Sequence, residues 1–350
     1  MPRVRPTIGD VARAAGVSKG TVSLAYSGKR PVADETRRRI LEAAATLGWT
    51  PSESARALAT SRAAAIGLVL ARTPDVLAAD SFFPRFISGC ESVLSGAGMG
   101  LLLNVVTSAE AEEAVYRRHA AGRVDGVLLL DIRRDDPRPA LMAELELPAV
   151  MLTGHRPSEA ERHGLSAVYV EGAPAIRRLV GALVDAGHRH IAHVTGPLTM
   201  LHAIERREAF VTAVRDHGLD PTRVVEADFT AAAGHDATAA LLDGPEPPTA
   251  IVYANDVMAI AGLSLARSRG LRVPEDLSLT GYDNTELSGH LSPALTSVDS
   301  DPYASGVRAT QRLLADLLGD PPAAEHLDCV RVHERGSIGP APTHPSIPAS

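Results

Sequence analysis

Three observations predict an N-terminal all-α helix-turn-helix head followed by an α/β body of two parallel-sheet subdomains. Residues 1–62 show helical periodicity, residues 62–340 alternate short apolar runs with helical stretches, and the charge divides at the same place. The 350-residue chain carries a net charge of −7, yet residues 1–62 hold eleven Lys and Arg against five acids. The head is therefore +6 and the remainder −13. A basic head on an acidic body suits a head that meets phosphate and a body that does not. Charge alone leaves an ordinary uneven surface as the alternative. A length of 350 exceeds one usual hydrophobic core and asks for two or three domains.

The head opens at Thr7, an N-cap with Asp10 three residues on in capping-box spacing. Ile8, Val11, Ala12 and Ala15 recur at helical spacing, and Gly16 suits the left-handed residue that ends a helix. Val17 plugs the turn, and Ser18 caps a second helix running to about Tyr26. Two short helices joined through a glycine make a helix-turn-helix, with Ala12 and Val22 small enough for a close crossing. A third amphipathic helix begins near Asp34, turns Ile40, Leu41, Ala44 and Leu47 inward, and stops at Gly48.

The second helix carries the reading chemistry. Such a helix enters the major groove N-terminus first, where its amides favour phosphate. Lys19, Gly20 and Leu24 face outward, with Thr21 and Ser23 placed for phosphate or base contacts; Thr7, Ser18, Lys29 and Arg30 complete the candidate contacts. Lys19 can donate to guanine O6 or N7, less selectively than a bidentate Arg, and Leu24 can touch only a thymine methyl. Helix-turn-helix spacing by itself leaves a small three-helix bundle with no partner equally open.

The next segment decides between them. Trp49-Thr50-Pro51-Ser52 ends the bundle, and residues 52–59 read as a helix of small residues too short to stand alone. With Thr7-Ile8-Gly9-Asp10-Val11-Ala12, Ala15-Gly16-Val17-Ser18, Thr21-Val22-Ser23, Thr36-Arg37-Arg38-Arg39-Ile40, Leu47-Gly48-Trp49-Thr50-Pro51 and Ala55-Arg56-Ala57-Leu58, the chain resembles the lac-repressor (LacI/GalR) family of bacterial regulators. The resemblance implies a DNA-binding domain over 1–50 and a hinge helix over 51–61 that folds on cognate operator. Ser54, Ala55 and Arg56 would meet DNA there, and Leu58 would wedge into a central minor-groove step. Wedging costs a few kcal/mol of unstacking, offset by the contacts a bent duplex permits. Packing of Leu58 on the body is the alternative. Tyr26-Ser27, Ala33, Ser52 and Leu24 depart from frequent family choices, which bears on the operator sequence rather than on DNA binding; Asp34 is expected to cap the third helix in place of Ala33.

In the body, strand runs fall at 65–70, 100–106, 126–130, 149–152, 167–170, 191–195, 250–253 and 277–282, among helical stretches such as 87–96, 174–186, 205–217, 236–242 and 256–268. The fully apolar run Val127-Leu128-Leu129-Leu130 suits a central strand buried on both faces. About ten strands imply two sheets, with ligand outside the carboxyl ends of the strands, in the cleft between them.

The resemblance continues through Phe82-Phe83, Gly89-Cys90-Glu91, Val124-Asp125-Gly126-Val127, Gly187-His188-Arg189-His190-Ile191-Ala192, Arg206-Arg207-Glu208-Ala209-Phe210, Ala254-Asn255-Asp256, Val273-Pro274-Glu275-Asp276, Gly281-Tyr282-Asp283, Pro293-Ala294-Leu295-Thr296-Ser297-Val298 and Glu334-Arg335-Gly336-Ser337. It implies a periplasmic-binding-protein-like body over 62–340, crossed three times by the chain. The N-subdomain would take about 62–160 and 292–322, the C-subdomain about 161–291 and 323–340. A small sugar-like effector would bind between them. Arg206 matches the family's effector-binding arginine and offers a fork of donors to vicinal hydroxyls or a carboxylate. Asp283 could accept two sugar hydroxyls, Asn255 offers donor and acceptor, and Phe82 and Phe229 can stack on a ring. The competing structural roles are a salt bridge for Arg206, capping for Asp283 and Asn255, and core packing for the two Phe. Thr153 stands where the family often has Asp or Asn.

Other chemistry is thin. Cys90 and Cys329 are isolated, with neither disulfide framework nor zinc spacing. His188, His190 and His193 open a strand whose period of two sends His190 and His193 to opposite faces. Gly262-Leu263-Ser264-Leu265-Ala266 falls inside a helix, where a nucleophile elbow lacks its strained turn. No base paired with an acid or nucleophile shows the right spacing, so a sugar-handling enzyme is disfavoured. The expectations are no cofactor, no metal, no membrane partner, a cytoplasmic location and a disordered tail over 341–350. The expected partners are a double-stranded, pseudo-palindromic DNA operator, the sugar-like effector and a second copy of the chain. No heptad tail follows the body, which favours a dimer over a tetramer.

Overall fold

A computed structural model describes residues 6–27, 31–49 and 62–343. Lys29, Arg30, Ser54, Ala55, Arg56 and Leu58, named above as DNA contacts, lie outside the described residues. In the head, α1 (Ile8–Ala15), α2 (Lys19–Ser27) and α3 (Asp34–Leu47) follow the expected order. The Asp10 carboxylate accepts from the Thr7 backbone N–H at 2.9 Å and from its hydroxyl at 2.7 Å. Gly16 takes φ +65°, which lets the Val17 N–H return to the Ala12 carbonyl at 2.9 Å. Ser18 Oγ accepts the Thr21 N–H at 3.1 Å and starts α2. The helices close on Val11, Ala12, Val22, Ala25, Ile40 and Ala44.

Two details of α3 differ from expectation. Leu41 is 44% exposed rather than inward, because one residue beyond buried Ile40 is a turn of about 100° around the helix. Ala33 holds the N-cap position with no side-chain bond, and Asp34 is the first helical residue.

The body contains two six-stranded sheets. The first runs β11 (Ala324–His326), β5 (Ser166–Tyr169), β4 (Ala149–Thr153), β3 (Gly126–Leu129), β1 (Ala65–Ala71), β2 (Gly100–Val106), with every pairing parallel. The second runs β12 (Arg331–His333), β10 (Thr296–Asp299), β9 (Ser278–Tyr282), β8 (Ala250–Tyr253), β6 (Ile191–Thr195), β7 (Val224–Glu226), where only β12 is antiparallel. The N-lobe helices are α4 (Pro74–Ala79), α5 (Phe82–Ala97), α6 (Ala109–Arg118), α7 (Arg138–Glu144) and α8 (Glu159–Arg162). The C-lobe follows with α9 (Ala173–Asp185), α10 (Leu201–Asp216), α11 (Ala231–Leu242), α12 (Asp256–Ser268) and α13 (Glu286–His290). Helix α14 (Pro302–Leu317) returns to the N-lobe and crosses α5. That crossing needs glycine: a Cβ on Gly89 would overlap the Tyr303 carbonyl, and one on Gly306 the Phe86 carbonyl.

The chain passes between lobes after β5, after β10 and after β11, later in each case than the boundaries expected near 160, 291 and 322. Hydrogen bonding decides this. Residues 166–169 pair with β4, and residues 296–299 pair with β9, so each strand stays with the lobe before its crossing. Each sheet has one apolar cluster per face, led by Ile66, Phe86 and Leu128 on one side of the first and Tyr116, Val127 and Met142 on the other. His188 is fully buried, with Nδ1 2.8 Å from Thr249 Oγ1 and Nε2 3.0 Å from Ser278 Oγ, a bracing role. Gly262 lies within α12.

Candidate DNA-reading head and effector cleft

On the head, Ser18, Lys19 and Gly20 stand exposed at the start of α2, while Thr21, Ser23 and Leu24 are half-buried beside them. The Lys19 stem folds over Gly9, where an added Cβ would come within 3.1 Å of Lys19 Cε. The Ser18 and Thr21 hydroxyls lie 2.9 Å apart. Thr7 is exposed at the neighbouring N-terminus of α1, its hydroxyl engaged by Asp10. Two helix N-termini and an ammonium thus share one surface, which can take phosphate and place Lys19 against a base edge.

In the body, one cleft receives residues that leave the carboxyl ends of both sheets. Arg72 follows β1, Asp131 lies just past β3, and Thr153 ends β4; Asn255 lies just past β8, and Asp283 follows β9. The order of each sheet reverses between β1 and β3 and between β6 and β8, where a parallel sheet opens to ligand. The space is roughly 750 Å³, its open mouth included. All five residues singled out from sequence, Phe82, Arg206, Phe229, Asn255 and Asp283, line it.

Their local bonds differ. Asn255 caps α12, accepting from the Met258 N–H at 3.0 Å, and donates to the Phe229 carbonyl at 3.0 Å. That second bond holds Phe229 at φ +71°, and its ring covers Gly196, where a Cβ would overlap it. Phe229 stacks on His202 with centroids 5.5 Å apart, and the Arg72 guanidinium sits over the ring, 5.5 Å from its centroid, in a cation–π contact. Arg206 lies 3.5 Å over the Tyr282 ring and donates to the Ala254 carbonyl at 2.6 Å. Asp283 is held at φ +105°, with its N–H donating to Val298 at 2.7 Å. Phe82 begins α5, stacked on Phe86, with its N–H bonded to Asp80 at 2.8 Å.

The electrostatics are acid-rich. Burial, and then the Asp80 carboxylate, push the Asp283 pKa well above the usual range, while Arg206 pulls it back. Burial raises Asp80 as well. Burial also works against the charge on Asp131, but Arg72, bonded to it at 2.8 Å, holds its pKa below the ordinary value. His202 is pushed down to about 3 by burial and then by Arg206, so its imidazole is neutral near pH 7. Behind the cleft, the buried Asp256 carboxylate accepts from the Thr285 N–H at 2.8 Å and from the Ser288 and Ser297 hydroxyls, bracing the loop that carries Asp283.

Sequence reasoning missed Arg72, Asp80, Asp131 and His202 as lining residues. For Arg72 and Asp131 a signal existed, since each stands just beyond a strand run. His202 lies one turn before Arg206 on α10 and shares its face. Asp80 sits in a loop between helices, with no pattern to mark it. Among the described residues, no three His, Cys, Asp or Glu side chains are grouped to hold a metal ion.

This architecture, a helix-turn-helix head with a two-lobed ligand-binding body, defines a class of ligand-controlled DNA-binding regulators. Residues 7–52 match the family described as bacterial regulatory proteins, lacI family, and residues 180–338 match the periplasmic binding protein-like domain. The chain is 35% identical to the HTH-type transcriptional regulator CelR of Thermobifida fusca over 318 residues, 90% of this chain and 93% of that one. Among solved structures, a transcriptional regulator CelR–cellobiose complex superposes with TM-score 0.72 at 32% identity, over 95% of this chain and 100% of that one. The lac repressor dimer bound to operator and the anti-inducer ONPF does so with TM-score 0.81 at 27% identity, over 95% and 99%. The chain belongs to the lacI family of bacterial regulatory proteins, a family of DNA-binding transcriptional regulators and not of enzymes.

Proposed function

We propose that the protein is a repressor that binds a pseudo-palindromic operator as a homodimer and is controlled by an uncharged sugar in the inter-lobe cleft. The observation that carries the ligand assignment is the balance of groups in the cleft. Asp80, Asp131 and Asp283 face two guanidiniums, of which Arg72 is engaged by Asp131 and Arg206 is stacked on Tyr282. A phosphate or carboxylate would add negative charge beside Asp80 and Asp283, two buried acids whose raised pKa values already reflect resistance to further charge there. Sugar hydroxyls can donate to Asp283 and accept from the remaining Arg206 donors, while Phe82 and Phe229 cover an apolar ring face. The solved complex of the similar CelR holds cellobiose, which supports the same class of ligand.

Dimerisation is supported by β2, the outer strand of its sheet, where Leu103 and Val105 are 42% and 48% exposed. An apolar edge strand calls for cover. The lac repressor structure is a dimer on operator, and two heads on one body pair would reach successive major-groove half-sites. A regulator that works on DNA acts in the cytoplasm; separately, no helix among the described residues is long and apolar enough to cross a membrane. Effector binding would change the angle between lobes and so the spacing of the two heads; a coupling of roughly 1–3 kcal/mol shifts operator affinity about 5- to 150-fold. Calorimetric titration of the full chain with neutral mono- and disaccharides, cellobiose included, and with their phosphate esters tests the ligand class. Heat is expected from a neutral sugar; tighter binding of a phosphate ester would overturn it.

A further inference from the structure

The two lobes meet at a second place, beside the cleft. The backbone of residues 132–134 runs against that of 199–201: the Leu201 N–H donates to the Ile132 carbonyl at 2.9 Å, and the Arg134 N–H to the Thr199 carbonyl at 3.0 Å. Next to these bonds, His155, which follows β4 on the N-lobe, places Nδ1 2.5 Å from Oε1 of Glu205 on α10 of the C-lobe. Gly154, between Thr153 and His155, leaves room for this approach: a Cβ there would overlap the Glu205 carboxylate and push that side chain away from its present position. Thr153 donates to the His155 carbonyl at 2.6 Å and also lines the cleft, so this junction is directly joined to the ligand space.

We propose that His155 and Glu205 are a positioning pair, a proton-dependent latch that holds the lips of the two lobes together and makes the lobe angle respond to pH. Its consequence for ligand control rests on the cleft being the effector site; the latch itself does not.

The surroundings favour the imidazolium. Nε2 of His155 lies 3.6 Å from Glu161 of α8, so carboxylates stand on both sides of the ring. Arg133, Arg134, Asp135, Asp136 and His163 line the adjoining pocket, a set of mixed sign. The bond to Glu205 raises the His155 pKa above its ordinary 6.5, against the smaller opposing effect of burial. With the lips apart, that partner is lost and the pKa falls back. The latch is therefore complete below about pH 6.5 and weakens as pH rises through the raised value of the closed form.

Hydrogen exchange of the full chain, read by mass spectrometry on peptides containing Arg134 and Leu201, tests this without any ligand. After correction for intrinsic rates, those amides should be about two- to fivefold better protected at pH 6 than at pH 8.5, the range for a partly exposed ion pair. Glu205→Gln and Gly154→Ala should lose the excess protection at pH 6. His155→Lys, which keeps the cation, should retain it at both pH values. Amides of β3 and β8 report that each variant is folded. Equal protection of the lip amides at the two pH values in the wild type, or the same pH change in Glu205→Gln, would overturn the latch.

Discussion

Removing the Arg206 guanidinium should separate ligand response from DNA binding. Arg206 sits over Tyr282 at 3.5 Å, donates to Ala254 at 2.6 Å, and is the cation that opposes the raised pKa of Asp283, while Asp80 feels Arg72 more strongly than Arg206. Arg206→Ala deletes a charge-assisted bond to the sugar, about 1.5–3 kcal/mol, which is roughly 10- to 150-fold in affinity. It also takes the counter-charge from Asp283, while Asp80 keeps Arg72, and so drives Asp283 further toward its neutral form and weakens it as an acceptor for sugar hydroxyls. Operator affinity should stay within about threefold, because the head and its basic surface are untouched. Calorimetry with the sugar that binds the wild type, and anisotropy on operator DNA with and without that sugar, give the two readouts. An undiminished sugar response in Arg206→Ala would refute the placement of the ligand against this side chain. Equal loss of DNA binding without sugar would show the variant to be a folding defect instead.

Leu58→Ala should weaken operator binding while leaving non-specific binding largely intact, as measured by anisotropy on operator and on scrambled duplexes; equal loss on both would remove the wedge role. Gly89→Ala should force α5 and α14 apart at their crossing, where the added Cβ meets backbone rather than a movable side chain, and cost about 1–3 kcal/mol in denaturant unfolding. An unchanged unfolding midpoint would contradict the close crossing. Sugar affinity should fall on acidification. Hydroxyls donating to Asp283 favour its carboxylate, so the complex has the lower pKa, and affinity is full above the raised value of the free protein and lost as pH drops below it. Asp283→Asn should flatten that calorimetric profile; a wild-type profile already flat between pH 4.5 and 7.5 would contradict the assignment.

Much of this was legible in the residues because the strongest signals are periodic. The run 127–130 is apolar and buried throughout, its first three residues lying in the central strand β3, and Gly16 and Gly48 ended helices where left-handed backbone was needed. The short outer strands were not legible: Val224–Glu226, Ala324–His326 and Arg331–His333 mix polar and apolar side chains because only one flank of each is paired. The lobe crossings were misplaced for a related reason. Which sheet claims residues 296–299 depends on non-local hydrogen bonds to β9, and no local pattern reports that. In the cleft, Arg206 and Asp283 were reached through family position and Phe82 and Phe229 through ring chemistry. Asp80 and the His155–Glu205 pair emerge only when distant segments are brought together. Asn255 shows how the two kinds of role coincide: it lines the cleft, yet both ends of its amide are bonded to the protein.

The most direct test is binding of the purified full-length chain to DNA from upstream of its own gene, followed by anisotropy across a salt series and with the neutral sugar panel. Saturable binding that requires both halves of a palindrome, falls steeply with salt and shifts with one sugar is the predicted result. Failure to bind any DNA even at low salt would contradict it.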